Sequence, residues 1–291
     1  MRVLVTGASN FIGSHLSREL QDAGHLVAGS SPGVDVRQAI ESHGAGVLIH
    51  LEGASSGLLG EASVYETVGD TAGVTAEVAK ACGELGVRFV YASTDAIYGD
   101  TGGAVSNEEG PFGLPNTTYA LSKLMGESLG LLYAPKGLTV LRISAPYGLG
   151  LEANKSAIIN MLLQAHFGMP VPVHSGAERS WCWIGDTVRG IRLVMENSDG
   201  VYNIGRDDDG ISMQEVAELA CSLTGADKSL IEVIDAPARQ TVVRRLSVQK
   251  LRRCGWEPRV SLYEGMKMTL DGWVKFLDET GTLPVPHLVT Q

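Results

Sequence analysis

Residues 3–13, Val3-Leu-Val-Thr-Gly7-Ala8-Ser9-Asn10-Phe11-Ile12-Gly13, join a short apolar run to a glycine-punctuated turn and the start of a helical pattern. A chain that leaves a buried strand and enters a helix within a few residues must turn tightly. Glycine permits this because it lacks a Cβ and tolerates positive φ. The helix that follows directs unpaired N–H groups and the positive end of its dipole at whatever lies above the turn, which suits a phosphate. Placed directly after a first strand, the stretch predicts a dinucleotide site with Gly7, Asn10, Phe11, Ile12 and Gly13 around the pyrophosphate. Asn is the non-glycine residue most tolerant of left-handed backbone, and Asn10 is expected to keep the turn on that ground.

Outward from this turn the chain alternates apolar runs with helical segments. Val3–Thr6, His25–Ala28, Gly46–His50, Arg88–Ala92 and Leu138–Arg142 read as buried strands, with helices near 11–23, 62–86 and 117–134 between them. Their apolarity is continuous rather than alternating, as in a parallel sheet covered on both faces. The fold class expected is therefore α/β, a doubly wound parallel (Rossmann) sheet with a smaller C-terminal α/β lobe. Residues 1–150 form the expected dinucleotide-binding domain, rejoined by about 182–205. Residues 151–181 and 206–291 form the expected substrate lobe, with helices near 154–167, 212–224 and 262–279. A helix near 186–197 and a strand at Val201–Ile204 return to the first domain, and the Pro-rich tail after Thr280 is expected to be poorly ordered.

Composition narrows the function classes. With 44% hydrophobic and 19% charged residues the 291-residue chain can bury a large core. A formal charge of −10 argues against nucleic acid as a partner. No apolar run reaches the length of a membrane span, Gly7 ends the first apolar stretch too early for a signal sequence, and a cytoplasmic protein is expected. Cys82, Cys182, Cys221 and Cys254 share no paired spacing, and the histidines form no ligand pattern, so neither metal nor disulfide is expected.

Tyr119-Ala-Leu-Ser-Lys123 opens a helix with Tyr and Lys one turn apart on the same face. A phenol is a poor base at neutral pH, and an adjacent ammonium is expected to favour the phenolate. Val90-Tyr-Ala-Ser93-Thr94-Asp95-Ala96-Ile97-Tyr98-Gly99 ends a strand and supplies a hydroxyl at Thr94.

Together these segments resemble the extended short-chain dehydrogenases/reductases, the NAD-dependent epimerase/dehydratase family. The turn resembles TGxxGxxG with Asn10 at the middle glycine, Thr94 falls in the "SS/T-x-x-VYG" segment, and Tyr119 and Lys123 form YxxxK. His50-Leu51-Glu52-Gly53 resembles His-Leu-Ala-Ala, with Glu52 as a departure, and Asp35-Val36 resembles the pair beside the adenine. The likeness runs on through Leu141-Arg142-x4-Tyr147-Gly148, Asp186, Tyr202–Gly205 and Gly255–Pro258 and covers nearly the whole chain.

The resemblance implies NAD or NADP bound by Gly7, Asn10, Phe11, Ile12, Gly13, Ser30, Ser31, Asp35, Val36, Leu51, Gly53, Tyr119 and Lys123. The second strand ends Ala28-Gly29-Ser30-Ser31 without an acid, and Ser30, Ser31 or Arg37 could meet a 2′-phosphate, which favours NADP. Thr94, Tyr119 and Lys123 are the implied catalytic residues. Thr94, Asp95, Ala145, Arg179 and Arg244 (or Arg245) are the implied contacts to a nucleotide-linked sugar, the arginines gripping its diphosphate. Ala145 and Thr71 replace the family's usual Asn residues. Ala96 stands where dehydratases carry a Glu, which disfavours 4,6-dehydration. The expected reactions are C4 epimerisation or 4-keto reduction in a homodimer formed by the helices near 62–86 and 117–134. A non-catalytic NAD(P)-binding sensor or scaffold is the alternative from another class.

Overall fold

The computed structural model describes residues 1–31, 33–54, 63–150, 156–207, 210–236 and 241–281. Six parallel strands make the central sheet: β1 (Arg2–Thr6), β2 (Leu26–Ser30), β3 (Val47–His50), β4 (Arg88–Thr94), β5 (Leu138–Ile143) and β6 (Gly200–Ile204), in the order β6-β5-β4-β3-β1-β2. The strands start where the apolar runs do because both faces are covered. Val3 and Val5, Val47 and Ile49, and Val90 and Ala92 enter one core, while Leu4, Leu48, Phe89 and Tyr91 enter another. This is period-two alternation between two dry faces, and it explains why the runs are almost continuously apolar.

Helices α1 (Phe11–Asp22) and α7 (Ile184–Asn197) pack together on the first face. On the second lie α2 (Val36–His43) and α4 (Val74–Leu85), with α5 (Thr118–Tyr133) packed against α4. Leu16 and Leu20, one turn apart on α1, are fully buried, each contributing about 1.5–3 kcal/mol relative to an exposed position. The segment expected as one helix near 62–86 is α3 (Val64–Val68), a π-helical turn at Gly69–Gly73 and then α4. Residues 55–62 lie outside the described residues, as do Asp208, Asp209 and the expected disordered tail from residue 282.

A separate core joins α6 (Ala157–His166), α8 (Met213–Thr224) and α10 (Leu262–Thr280) around Met161, Leu162, Val216, Ala220, Met266 and Leu270. The Pro-punctuated run at 168–173 holds a strand, Val171–His174, paired in parallel with Ile231–Ile234. Pro172 fits because this sheet has two strands only. A short helix α9 (Gln249–Arg253) packs on β6. The described cysteines are free, no group of His, Cys, Asp and Glu among the described residues could hold a metal ion, and no described helix is long and apolar enough to cross a membrane.

Candidate active site

The C-terminal ends of β1, β3, β4 and β5 deliver the candidate residues to one edge of the sheet. At β1, Gly7 adopts φ 69°, and a Cβ on Gly13 would lie 2.0 Å from the Gly7 carbonyl oxygen. Only glycine allows this approach of helix to turn, the cradle that a pyrophosphate at a helix N-terminus requires. Asn10 departs from the expectation. It is extended (φ −74°, ψ 173°) and caps α1, its Oδ1 accepting from Gly13 N (2.8 Å) while its Nδ2 donates to Leu51 O (3.1 Å). The side chain holds the turn by capping and by tying it to the residue after β3, so left-handed tolerance plays no part. Phe11 and Ile12 form the first turn of α1 and pack on the sheet core.

Beyond β3, Gly53 (φ 138°) leaves room for two side chains, since a Cβ there would sit 3.2 Å from Lys123 Nζ and 3.3 Å from Thr71 Oγ1. Thr71 lies in the π-helical turn and accepts from Ala54 N (3.0 Å). Such turns recur at functional sites because they push one residue out of helical register. Below them runs a buried chain of polar contacts, Thr6 Oγ1 to His50 Nδ1 (2.7 Å), His50 Nε2 to Thr75 Oγ1 (3.2 Å) and Thr75 Oγ1 donating to Thr71 O (2.6 Å). Burial lowers His50 to about 3, with the Lys123 charge acting the same way.

At β2, Ser30 and Ser31 end the strand, and Gly29 comes so close to the turn that a Cβ would meet Ala8 Cβ at 2.8 Å. Asp35 is the N-cap of α2, accepting from Arg37 N (2.9 Å) and Gln38 N (3.3 Å), and Val36 opens that helix. The Arg37 guanidinium pairs with Glu84 of α4, so the cation expected for a 2′-phosphate is held by a carboxylate.

The reacting end is assembled by β4, β5 and α5. Helix α5 lies close on β4, where a Cβ on Gly126 would meet Tyr91 Oη at 2.1 Å. It is anchored by a buried, two-pronged ion pair, Arg142 Nε and Nη2 donating to Glu127 Oε1 (3.1 Å) and Oε2 (2.8 Å), with Arg142 Nη1 also donating to Tyr98 Oη (3.0 Å). This fixes the first turns of α5, which carry Tyr119 and Lys123. Lys123 Nζ donates to Ala92 O (2.9 Å), and burial brings the amine down to about 8.

The expected effect of Lys123 on Tyr119 is not what the structure gives. Desolvation pushes the phenol up to about 12. The Thr94 hydroxyl and the Arg244 guanidinium favour the phenolate, and the Asp95 carboxylate opposes it. Lys123 Nζ donates to Ala92 O, and the cation that favours the Tyr119 phenolate is Arg244.

Asp95, 3% exposed, is no surface acid. Its Oδ2 accepts from Ser144 Oγ (2.8 Å), and its Oδ1 accepts from Arg244 Nη1 (3.2 Å) and, at 3.4 Å, from Thr94 Oγ1. Sequence reasoning misses Ser144, whose only signal is its place just past β5, two residues beyond Arg142. Arg245 pairs with Glu178, so of the two candidate arginines Arg244 alone reaches this cluster. Arg179 lies near Arg244 and Asp95. It donates to Glu178 O (2.7 Å), Val242 O (2.7 Å) and Thr241 O (3.0 Å), and burial with the neighbouring Arg244 charge brings it down to about 10. Ala145 has φ 29°, and no other described non-glycine residue has positive φ. Ala96 contributes only its N–H, to Thr94 Oγ1 (3.3 Å).

Comparison with known proteins agrees with this arrangement. Residues 3–205 match the profile of the NAD dependent epimerase/dehydratase family. The chain is 30% identical over 228 residues to an Arabidopsis thaliana trifunctional UDP-glucose 4,6-dehydratase/UDP-4-keto-6-deoxy-D-glucose 3,5-epimerase/UDP-4-keto-L-rhamnose-reductase, covering 74% of this chain and 34% of that one. It thus spans about a third of that relative's length. It is 26% identical to UDP-glucuronic acid decarboxylase 1 of Danio rerio, over 95% of this chain and 73% of that protein. The structure of a Thermus thermophilus UDP-glucose 4-epimerase in complex with NAD superposes with a TM-score of 0.81 at 26% identity, covering 93% of this chain and 98% of that one.

Proposed function

Because the chain belongs to the NAD-dependent epimerase/dehydratase family, we propose that it is an oxidoreductase acting on a nucleotide-linked sugar or deoxysugar by hydride transfer at C4, as an epimerase or a 4-ketoreductase. The observation that carries this reading is the convergence of Thr94, Tyr119, Asp95 and Arg244 within one hydrogen-bonded and electrostatic cluster, beside Lys123 and the glycine cradle.

The roles follow from the chemistry of the side chains. The fit of Gly7 and Gly13 to a helix-terminal phosphate supports a dinucleotide held by the β1–α1 turn. When bound, its nicotinamide supplies the hydride acceptor or donor. Tyr119 takes the proton from the sugar hydroxyl as it is oxidised, or gives one to the ketone oxygen as it is reduced, with Thr94 sharing the reacting oxygen. A phenol at about 12 is a strong acceptor once ionised and a competent donor at neutral pH. Lys123, whose Nζ lies beside Gly53, stands one helical turn from Tyr119 on α5. Arg179 and Arg244 hold the diphosphate, the planar guanidinium suiting two oxygens at once.

Two features argue against dehydration. Ala96 offers no carboxylate, and Asp95 is already bound to Ser144 and Arg244. The pairing of Arg37 with Glu84 removes a support for NADP, and the Thermus relative holds NAD; we read NAD as the preferred cofactor. Leu121, Met125 and Leu132 form an exposed apolar stripe on α5, with Val64 and Tyr65 of α3 also exposed, and we assign these faces to a homodimer contact.

The test is to titrate the purified protein with NAD, NADH, NADP and NADPH, then incubate it with UDP-glucose and with a 4-keto-6-deoxy nucleotide sugar, following products by NMR. Interconversion of C4 epimers with catalytic NAD marks an epimerase, and stoichiometric loss of reduced cofactor marks a ketoreductase. Absence of binding to any of the four dinucleotides overturns the enzymatic reading.

A further inference from the structure

Glu52 follows β3 and lies against the β1–α1 turn. A Cβ placed on Gly7 would come within 3.3 Å of Glu52 Cγ, so the side chain lies beside the Gly7 backbone, whose N–H favours the ionised carboxyl. One carboxyl oxygen, Oε1, is buried with no hydrogen-bond partner among the described residues. A buried acceptor without a donor is costly, and a carboxylate without a compensating cation more so.

The groups packed around Glu52 offer little compensation. On its own strand, His50 is kept neutral by burial and is bonded to Thr6 and Thr75. From α5, Lys123 donates to Ala92 O and is itself desolvated, which brings its amine down to about 8. Helix α1 presents the Asn10 cap and no acid in its first turn. The π-helical turn presents Thr71, whose hydroxyl is engaged by Ala54 N. Desolvation therefore raises the Glu52 carboxyl, and only the Gly7 N–H pulls the other way.

We infer that Glu52 is a proton-operated gate on the dinucleotide pyrophosphate: ionised, it lies beside the Gly7 turn and repels the phosphates; protonated, it removes that repulsion and offers its own O–H to a phosphate oxygen. The inference rests on the dinucleotide reading of the β1–α1 turn. Linkage sets the sign. Binding of the anion favours the protonated carboxyl, so binding takes up protons, and affinity falls as pH rises from the carboxyl's pKa in the free protein to its higher value in the complex.

The test uses calorimetric titration of the whole protein with NAD between pH 5.5 and 8, in buffers of differing ionisation enthalpy. The wild type should take up protons on binding and bind more weakly as pH rises. Glu52→Gln should bind NAD about tenfold or more tightly than wild type at pH 8 and lose that proton uptake, and Glu52→Ala should share the flat profile. Thermal melts check that the variants are folded, and the uptake measurement on wild type needs no variant. Wild-type binding without proton uptake, or with a pH profile that Glu52→Gln leaves unchanged, overturns the inference alone. No binding of NAD to wild type or to either variant at any pH overturns the dinucleotide reading with it.

Discussion

Arg244 Nη1 stands 3.2 Å from Asp95 Oδ1, and this pair sits beside the hydroxyls of Thr94 and Tyr119. One guanidinium therefore neutralises a buried acid and favours the phenolate. Arg244→Ala should raise the KM for a nucleotide sugar about tenfold or more and shift the alkaline limb of kcat upward, because Tyr119 loses a cation while Asp95 remains. Stability should fall by about 1–3 kcal/mol, the cost of leaving Asp95 partly unpaired. Steady-state kinetics against pH, with a thermal melt, would reveal the opposite result: an unchanged KM and pH profile would reject the substrate role of Arg244.

His50 is fully buried and held at about 3. The unfolded chain protonates this imidazole below about 6.5 while the folded chain does not, so stability falls as pH drops from 6.5 towards 3. The loss attributable to this group is on the order of 4–5 kcal/mol across the window. Urea unfolding at several pH values should show a steeper acid limb in wild type than in His50→Gln. Parallel curves would mean that His50 titrates normally in the folded state.

Gly13→Ala tests the cradle. Its Cβ would collide with the Gly7 carbonyl oxygen and Ala8 Cα, so the turn must move. The expected cost is about 1–3 kcal/mol of stability, with NAD affinity reduced at least tenfold, or ~1.4 kcal/mol. A variant that binds NAD like wild type would show that the turn does not hold the cofactor.

Ala145 bears backbone strain beside Ser144, at φ 29°. Ala145→Asn should keep the wild-type Tm, because Asn tolerates this region. Ala145→Val should lose about 1–3 kcal/mol, measured by thermal unfolding. Equal Tm values for the two would remove the argument for strain.

Leu132 is 67% exposed on the apolar stripe of α5. Leu132→Asp should convert a dimer to a monomer in sedimentation velocity without lowering the helix content. A wild type that sediments as a monomer at micromolar concentration would refute the assigned contact.

Much of the fold is legible in the sequence where one local rule dominates. The run from Val3 to Gly13 reads correctly because strand, turn and helix start are each dictated by nearby residues. Asn10 reads wrongly because the side-chain chemistry that suits a left-handed residue also suits a helix cap, and only the backbone angles separate the two. The choice between Arg244 and Arg245 stays open in the sequence because neighbours in a strand point to opposite sides, and nothing local says which side faces Asp95. The π-helical turn carries no periodic signature of its own, since its register is set by packing against α5. Helix α2 is only eight residues long, and reading Asp35-Val36 as the pair beside the adenine does not reveal the helix that Asp35 caps. Glu52 stands out as a departure, but its unpaired oxygen follows from two segments meeting that lie 45 residues apart in the chain.

Strand β6 is the outer neighbour of β5, yet residues 144–199 separate them in the chain. During synthesis the edge of β5 therefore remains open until residue 204 has left the ribosome, and the apolar face of α1 waits equally long for α7. For that interval the nascent chain presents an unpaired strand edge and a half-covered core, the surfaces on which chaperones act and aggregates nucleate. Completion of the parallel-sheet half is thus scheduled after translation of α6 and the strand Val171–His174, however early its own sequence appears.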